Sequence, residues 1–546
     1  MLELIHNNNT TRALNASNSE IEFINEQCSY VVPPAEWSDK YQSGVWDGKI
    51  SVFNKKTLMF PSGIINLITE KLNEAKIDFK VTDERKPPEV SKNCIVDLGE
   101  HSFRDYQQKA IQEIKQKHRG ILAMCTGAGK TKSACGIISD LSVYPVLFIV
   151  PAVSLLKQTV AEFNQSLKPI SEDFGVGELG GGVHKIFPGG VNVATYQTIL
   201  AAHGQRYMES KKKIVNIEED KVSLPSLKKQ LEILMVDYAN SPAGKLKAID
   251  KKIKDVERKI EYKNKTIANK LAIKNLVADC QLLIIDETHL AAEVIENISM
   301  KAARAYYRCG LSATPQRMDN QDLRMFGATG PVIHRVTASE LIKRDFLVKP
   351  YIYTIDLGHI DKSASSYQET YKRAIVQNEQ KNSLIKSLAE DMKIQGRPTL
   401  ILVERIEHGE TLQNMIEDCL FVPGGDGGDD KPISDKDMDY RKFQLNRCEN
   451  NEIILVATQW CNQGVDAPKI GCLILAGSTG SFNTVIQQVG RVLRKAPNKK
   501  NCIVFDFKHK EKNLRNHYYS RLKAYQSEPE FEVKLLKYNS SKGTYV

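Results

Sequence analysis

From residue 100 onward, short runs of apolar residues alternate with helix-length polar-apolar segments. The runs are GILAM (120–124), VLFIV (146–150), VNVATY (191–196), LLIID (282–286) and AYYRCGLSAT (305–314). After a basic stretch near residue 345 a second series follows: TLILVE (399–404), IILVAT (453–458), CLILAG (472–477) and CIVFDF (502–507). These runs are short and rich in β-branched residues, so they read as buried parallel strands joined by crossover helices. The pattern predicts an α/β chain with two doubly wound parallel-sheet domains in tandem, residues 96–345 and 346–546, the second with a C-terminal extension. Residues 1–95 read differently. There IEFI, ISVFN and KIDFKV suggest strands around a helix beginning near Ile64, with DGK and PSG as turns, which gives a small α+β domain. ERKPPEVSK (84–92) reads as its linker.

One segment inside the first tandem domain follows a third pattern. Leu224, Leu227, Leu231, Leu234 and Tyr238 recur at 3,4 spacing, NSPAG (240–244) supplies a turn, and Leu246, Ile249, Ile253, Val256, Ile260, Ile267 and Leu271 resume the spacing, with Lys263 interrupting the seam. Two antiparallel helices, 224–239 and 245–276, would bury both stripes against each other as a coiled-coil hairpin inserted at 205–277. That packing would leave Lys251, Lys252, Lys254, Lys259, Lys263 and Lys265 outside. A solvated exterior and a phosphate-contacting arm are both open readings of those lysines.

Charge sharpens this picture. The chain carries a net +10, and residues 205–276 hold 18 Lys/Arg against 10 Asp/Glu, which favours a polyanionic partner. With 546 residues and 41% hydrophobic content there is ample core for three domains, and no apolar run is long enough to cross a bilayer. MLELIHNNNT lacks the pattern of a secretory signal. Eleven cysteines without a CxxC pair or a His/Cys ligand spacing fit a reducing cytoplasm better than a disulfide framework or a zinc site. FVPGGDGGDDKP (421–432) reads as a surface turn, because it lacks the spacing and closing Glu of a calcium loop.

The chemistry concentrates in two stretches. MCTGAGKT (124–131) follows a strand and opens a helix. Thr126, Gly127, Ala128 and Gly129 can wrap backbone N–H groups around phosphates, Lys130 can reach the β- and γ-phosphates of ATP, and the Thr131 hydroxyl can ligate Mg2+. Met124 stands where the simple GxxxxGK[ST] pattern has its first glycine. LLIIDETHLAA (282–292) carries an apolar strand directly into Asp286, Glu287, Thr288 and His289. At the C-terminal tip of a parallel strand, Asp286 can complete the Mg2+ shell and Glu287 can polarise the attacking water, while His289 senses the γ-phosphate. An acidic helix start is the plainer alternative for the second stretch alone.

With these motifs the chain resembles the superfamily 2 DExH-box helicases over residues 103–507. The resemblance implies two RecA-like motor domains. FRDYQ (103–107) matches the Q motif, which implies Arg104 and Gln107 near the adenine. IVPAVSLLKQ (149–158) and ATYQT (194–198) resemble strand-contacting motifs, implying Pro151, Ala152, Thr195 and Gln197 on the nucleic acid. SAT, residues Ser312, Ala313 and Thr314, resembles the motif that couples ATP state to grip. VATQWCNQGVDAP (456–468) implies Thr458 at the nucleic acid with Gly464 and Asp466 near the nucleotide. QQVGRVLR (487–494) resembles the arginine-finger motif. Gln487, Arg491 and Arg494 share one helical face, where two guanidinium groups can stabilise γ-phosphate charge. YQSGVWDGKISVFNKKTLMFPSG (41–63) resembles the N-terminal domain of UvsW-type phage recombination helicases, a resemblance that implies remodelling of branched DNA such as Holliday junctions, forks, D-loops and R-loops. The coiled-coil insert departs from that family's pattern. In the N-terminal domain Trp46, Lys49, Lys55 and Lys56 read either as a stacking-plus-phosphate surface or as core with solvent cover.

The leading expectation is therefore an ATP-dependent DNA helicase or translocase acting on single-stranded and branched DNA. An RNA helicase and a nucleotide-switched protein that presents the coiled coil to a partner are the alternatives. ATPase stimulation by DNA against RNA separates the first two. The complete hydrolytic set of Glu287, Arg491 and Arg494 argues against a pure switch.

Overall fold

The computed structural model describes the chain apart from residues 33–34, 209–212, 217–222, 290–291, 315–320, 358–365, 425–434, 459–466, 540–543 and 546. Gly464, Asp466 and most of the Gly/Asp-rich stretch 421–432 lie outside the described residues.

The N-terminal domain is a four-stranded sheet in the order β3-β2-β1-β4, with β1 Leu2–His6, β2 Thr10–Leu14, β3 Met59–Pro61 and β4 Phe79–Asp83. Helices α1 (Asn18–Gln27) and α2 (Ile65–Glu74) cover a core of Leu2, Leu4, Ala13, Ile24, Phe60, Ile68 and Leu72. IEFI, expected as a strand, lies within α1. Ser17 and Glu20 form a reciprocal capping box there, and that N-terminal signal outweighs three apolar residues in a row of four.

This domain is seated on the first motor. Arg119 donates to the Asn8 carbonyl at 2.9 Å, and the Asn9 amide donates to the Met300 carbonyl at 2.9 Å. Gly63 approaches so closely that a Cβ there would lie 2.0 Å from the Phe326 carbonyl oxygen. The expected linker is partly built in. Arg85 pairs with Asp83 and stacks 5.1 Å over Tyr306, and Ser91 N–H donates to the Ser142 carbonyl. The short strand Cys94–Val96 pairs with Leu167–Pro169, so motor 1 begins before residue 95.

Motor 1 is an eight-stranded sheet, β5 Arg119–Met124, β6 Val146–Val150, β7 Val176–Gly180, β8 Val183–Lys185, β9 Val191–Thr195, β10 Leu282–Asp286, β11 Tyr307–Ser312 and β12 Val332–Val336. Their spatial order is β8-β7-β9-β6-β10-β11-β5-β12, parallel except for the β7–β8 edge. Motor 2 repeats the design with β13 Lys349–Asp356, β14 Thr399–Leu402, β15 Cys419–Val422, β16 Ile454–Ala457, β17 Cys472–Leu475, β18 Asn501–Lys508, β19 Glu532–Asn539 and β20 Thr544–Tyr545. Its order is β15-β16-β14-β17-β18-β13-β19-β20. The strands of both sheets that were read from apolar runs are buried along nearly their whole length, which is why those runs lack alternation.

The insert begins as a β-hairpin, Gln205–Met208 against Lys213–Asn216, and continues as two packed helices, Leu224–Ala239 and Ala243–Asp279. The coiled coil is thus present, but its stripes are not fully used. Tyr238, Ile267 and Leu271 are exposed, the last two by more than half (53% and 57%). At 1.5 Å per residue, helices of 16 and 37 residues span about 24 and 55 Å, so the shorter helix cannot cover the longer. Beyond the paired section the long helix turns a different face inward. Ile273, Leu276 and Val277 join the motor 1 core with Leu283, Ile285 and Ile298.

Replacing residues 205–277 by a Gly/Ser connector therefore removes core side chains whose individual loss costs about 2–5 kcal/mol, and should lower the melting temperature markedly. Replacing only 224–260, the paired section, should leave it within a few degrees of the parent. Thermal unfolding of the two deletions checks this, and equal melting temperatures would contradict it.

Candidate active site and nucleic-acid face

The phosphate loop joins β5 to a helix, Lys130–Leu141, whose first turn has no side-chain cap and so keeps its N–H groups for an anion. Gly127 and Gly129 hold φ of +86° and +80°. Space demands glycine as well: a Cβ on Gly129 would lie 2.5 Å from the Gln107 amide nitrogen, and one on Gly127 would lie 3.0 Å from the Leu347 side chain and 3.5 Å from Arg494. Those last two residues connect to or belong to motor 2, so the loop is flanked from both sides. Gly490 of the helix Phe482–Val492 packs on Thr126, at 2.9 Å from its Cβ were a methyl added.

Opposite the loop, β10 ends at Asp286, and Glu287 takes a left-handed φ of +49°, a sparsely populated conformation for a side-chain-bearing residue. Lys130 Nζ donates to Glu287 Oε1 at 2.7 Å. Burial works against the Lys130 charge, but Glu287 and Asp286 beside it prevail and hold its pKa above the usual value. Asp286 moves the other way. Burial, with Glu287 next to it, pushes its pKa up to about 6, although Lys130 opposes the shift. Burial also disfavours ionised Glu287, yet Lys130 and His289 hold it ionised below the usual range. Arg491 stands close enough for its charge to oppose the protonation of Lys130 and favour ionised Glu287.

The chemistry of this donor set fits a divalent ion beside phosphates. Two adjacent, partly buried carboxylates lie beside one lysine, and Thr131 follows that lysine in the first turn of its helix. Among the described residues no group of three or more His, Cys, Asp and Glu could hold an ion alone. A magnesium ion held by one carboxylate, one hydroxyl and substrate phosphates needs no such group.

His289 ties the motors together. The Gln487 amide nitrogen lies 3.3 Å from its Nε2, and as Gln487 donates there, Nδ1 carries the proton toward Ser312 Oγ at 2.9 Å. Thr314 N–H donates to the same hydroxyl at 3.1 Å. The turn that leads into the arginine helix Phe482–Val492 is itself held from behind. Lys381 donates to the Ala476 carbonyl at 2.6 Å, Arg521 to the Thr479 carbonyl at 3.0 Å, and Ser520 to the Gly480 carbonyl at 2.7 Å. Arg521 is in turn paired with buried Asp506 at 2.9 Å. None of these three carbonyl-gripping residues was singled out from sequence, because each lies outside a motif.

The residues expected at the nucleic acid lie along the C-terminal tips of strands, but their roles differ. Pro151 and Ala152 follow β6, and exposed Gln197 donates to the Pro151 carbonyl at 3.2 Å, linking two tips. Thr195 is buried, and its hydroxyl caps the helix Tyr196–Ala202, so it shapes the tip rather than facing outward. Thr458 follows β16 and accepts from Gly424 N–H at 2.6 Å. Gln107 is committed to the protein, donating to the Ala128 carbonyl and accepting from Arg104 N–H, both at 3.0 Å. In the N-terminal domain Trp46 is half-buried and donates to the Lys49 carbonyl at 2.7 Å, while Lys55 pairs with Glu22. Lys49 is exposed, and the aromatic ring most open to solvent there is Trp37 (78%), which no sequence motif marks.

Glu287→Gln should cut ATP turnover by roughly 10²–10⁴-fold, the usual range for a lost general base, while nucleotide binding persists. Lys130→Ala should weaken nucleotide binding itself. Steady-state ATPase assays with an equilibrium binding measurement check both; near-normal turnover by the glutamine variant would exclude Glu287 as the base.

Two family models match this architecture in order. The type III restriction enzyme res subunit model covers residues 100–317, and the helicase conserved C-terminal domain model covers residues 380–496. The DNA 3'-5' translocase XPB2 of Sulfurisphaera tokodaii is 24% identical over 463 residues, 76% of this chain and 87% of the translocase. The ATP-dependent DNA helicase uvsW of Enterobacteria phage T4 is 23% identical over 236 residues, 41% of this chain and 45% of the phage protein, so the match spans under half of that relative. A fragment structure of an HsdR subunit of a type I restriction enzyme from Vibrio vulnificus YJ016 superposes with a TM-score of 0.50 at 18% identity, covering 82% of this chain and 70% of the fragment, a likeness of fold. With the phosphate loop and acidic tip on the first motor, the arginine helix on the second, and the two models together spanning more than half of its length, the chain belongs to the superfamily 2 helicases.

Proposed function

We propose that the protein is a cytoplasmic, ATP-driven remodeller of branched DNA, with the helical hairpin as a second duplex contact. The observation that carries this reading is the root of the hairpin. It leaves motor 1 directly after the helix Tyr196–Ala202, whose start carries exposed Gln197, bonded to the Pro151 carbonyl at the strand tips. A basic arm rooted there lengthens the footprint beyond one strand. Lys251, Lys252, Lys259 and Lys265 are exposed along it; Lys254 is tied to Asp250 at 2.8 Å.

At the hydrolytic site, Thr131 and Asp286 would hold Mg2+, which neutralises phosphate charge when bound. Lys130 would bind the phosphates, ionised Glu287 would take a proton from the attacking water, and Arg491 and Arg494 would stabilise the charge that develops between the motors. Ser312, coupled to His289, would pass the nucleotide state to the strand tips. Buried, unbridged cysteines among the described residues suit a reducing compartment.

A protein partner at the hairpin is the second reading. Ile233, Met235 and Val236 are each at least half exposed on the short helix, which a purely DNA-facing arm does not require.

Unwinding assays on forks, four-way junctions, D-loops and RNA–DNA hybrids test the proposal. The full chain should process junctions faster than plain duplex with a 3' or 5' overhang, and equal rates would contradict branch selectivity. Replacing residues 224–260 should weaken junction binding and flatten the log–log salt slope by several units, at about 0.9 for each phosphate the arm no longer neutralises. An unchanged slope and affinity would remove the DNA-arm role and leave the protein partner.

A further inference from the structure

The entry to the arginine helix Phe482–Val492 is gripped by Lys381, Arg521 and Ser520. Its exit is gripped by a residue that no motif marks. Lys499 lies in the turn after the helix, where its own N–H donates to the Ala496 carbonyl at 3.1 Å. The Lys499 ammonium folds back and donates to the Val492 carbonyl and to the Pro468 carbonyl, each at 2.7 Å. Val492 is the last residue of the helix, so its carbonyl is one of the final four that lack a partner within the helix. A cation at that end is also favoured by the helix dipole. Pro468 closes the stretch 456–468 that leaves β16.

One half-buried ammonium thus joins the ends of two separate segments of motor 2. Burial pushes its pKa down to about 8, while the Cys502 thiol and the Glu449 carboxylate work the other way. A charge in such a place is held at a desolvation cost, which two short charge-assisted bonds offset.

Arg494 is the side chain this anchor controls. It follows Val492 by two residues and flanks the phosphate loop, where a Cβ on Gly127 would lie 3.5 Å from the Arg494 Cγ. The connection between the motors holds the same backbone. Leu347 bridges to Arg494, and Val348 N–H donates to the Leu493 carbonyl at 2.8 Å. Three successive residues, Val492 to Arg494, are therefore fixed by Lys499 and by the connection together.

We propose that Lys499 is a positioning residue for ATP hydrolysis: by tying the exit of the arginine helix to Pro468, it fixes the backbone from which Arg494 reaches the phosphate loop. The proposal rests on the reading of Arg494 as a group that stabilises γ-phosphate charge. Misplacing such a group by about 1 Å can cost on the order of a hundredfold in rate, which gives a backbone anchor its leverage.

Lys499→Met keeps the apolar stem and removes the ammonium, and Lys499→Arg keeps a charged donor. Lys499→Gln keeps a donor for one carbonyl and takes the place of the methionine variant if that one fails to fold. Basal ATPase of the full chain is measured for each, with and without Arg494→Ala, beside equilibrium binding of ADP, which lacks the γ-phosphate. Lys499→Met should lower kcat roughly tenfold, the scale of one lost charge-assisted hydrogen bond, while ADP affinity moves less than about twofold. Lys499→Arg should recover most of that loss. Beside Arg494→Ala, Lys499→Met should cost less than about threefold, because both substitutions act through one group. Near-normal kcat for the methionine variant, an undiminished cost beside Arg494→Ala, or a loss of ADP affinity as large as the loss in kcat would each overturn the proposal. Near-normal kcat for Arg494→Ala alone would refute the reading of that arginine and the proposal with it, an outcome the same assay tells apart from the other three.

Discussion

Everything in this molecule depends on how closely the second motor can lie on the phosphate loop of the first. Two glycines set that distance. Gly127 leaves room for Leu347 and Arg494, and Gly490 lets the arginine helix rest on Thr126. A side chain at either position would have to displace packed atoms at about 3 Å. Because the loop is flanked by both motors, Lys130 and Arg494 both lie beside the space where a nucleotide's phosphates would bind. Lys130 meanwhile neutralises Glu287 directly, at 2.7 Å. On the proposed mechanism, a γ-phosphate that drew Lys130 away would leave Glu287 with His289 and Arg491 as its nearest positive or polar company and would free its carboxylate to act on water.

The remaining modules attach to this joint without entering it. The N-terminal domain is seated through Asn8, Asn9 and Gly63 on motor 1, and Gly63 packs against the helix Asp322–Thr329 that follows the SAT motif. The insert is rooted just as firmly, since Ile273, Leu276 and Val277 belong to the motor core. Only its paired outer section is separable. Both appendages are therefore packed on motor 1 and leave the cleft between the motors to the phosphate loop and the arginine helix.

The two motor sheets are legible in the sequence because their strands are buried on both faces and leave uninterrupted apolar runs. The phosphate loop and the acidic tip are legible because their chemistry demands fixed residue types at fixed spacing. The N-terminal domain reads less well. Its β1 and β2 are short and carry polar residues, and α1 hides behind the apolar run IEFI. The hairpin is legible as a coiled coil but not in its asymmetry, since heptad spacing continues through Ile267 and Leu271 where no packed partner covers them. Leu347 escapes because the basic stretch near residue 345 reads as a boundary, and only the fold shows that this boundary between domains also packs on the phosphate loop. Thr195 and Gln107 show the converse: each has the residue type its motif requires, yet spends its polar atoms on the protein.

The central claim is that Gln487, His289 and Ser312 form one chain that makes hydrolysis in the cleft responsive to DNA on the strand tips. A double-mutant cycle on DNA-stimulated ATPase measures it directly, with Gln487→Ala and Ser312→Ala made singly and together. The account expects strong non-additivity, with the double variant no worse than the more impaired single one and a coupling energy of about 1–2 kcal/mol, in the range measured for residues in one hydrogen-bond network. Simple addition of the two losses would contradict it, because the two ends of the chain would then act independently.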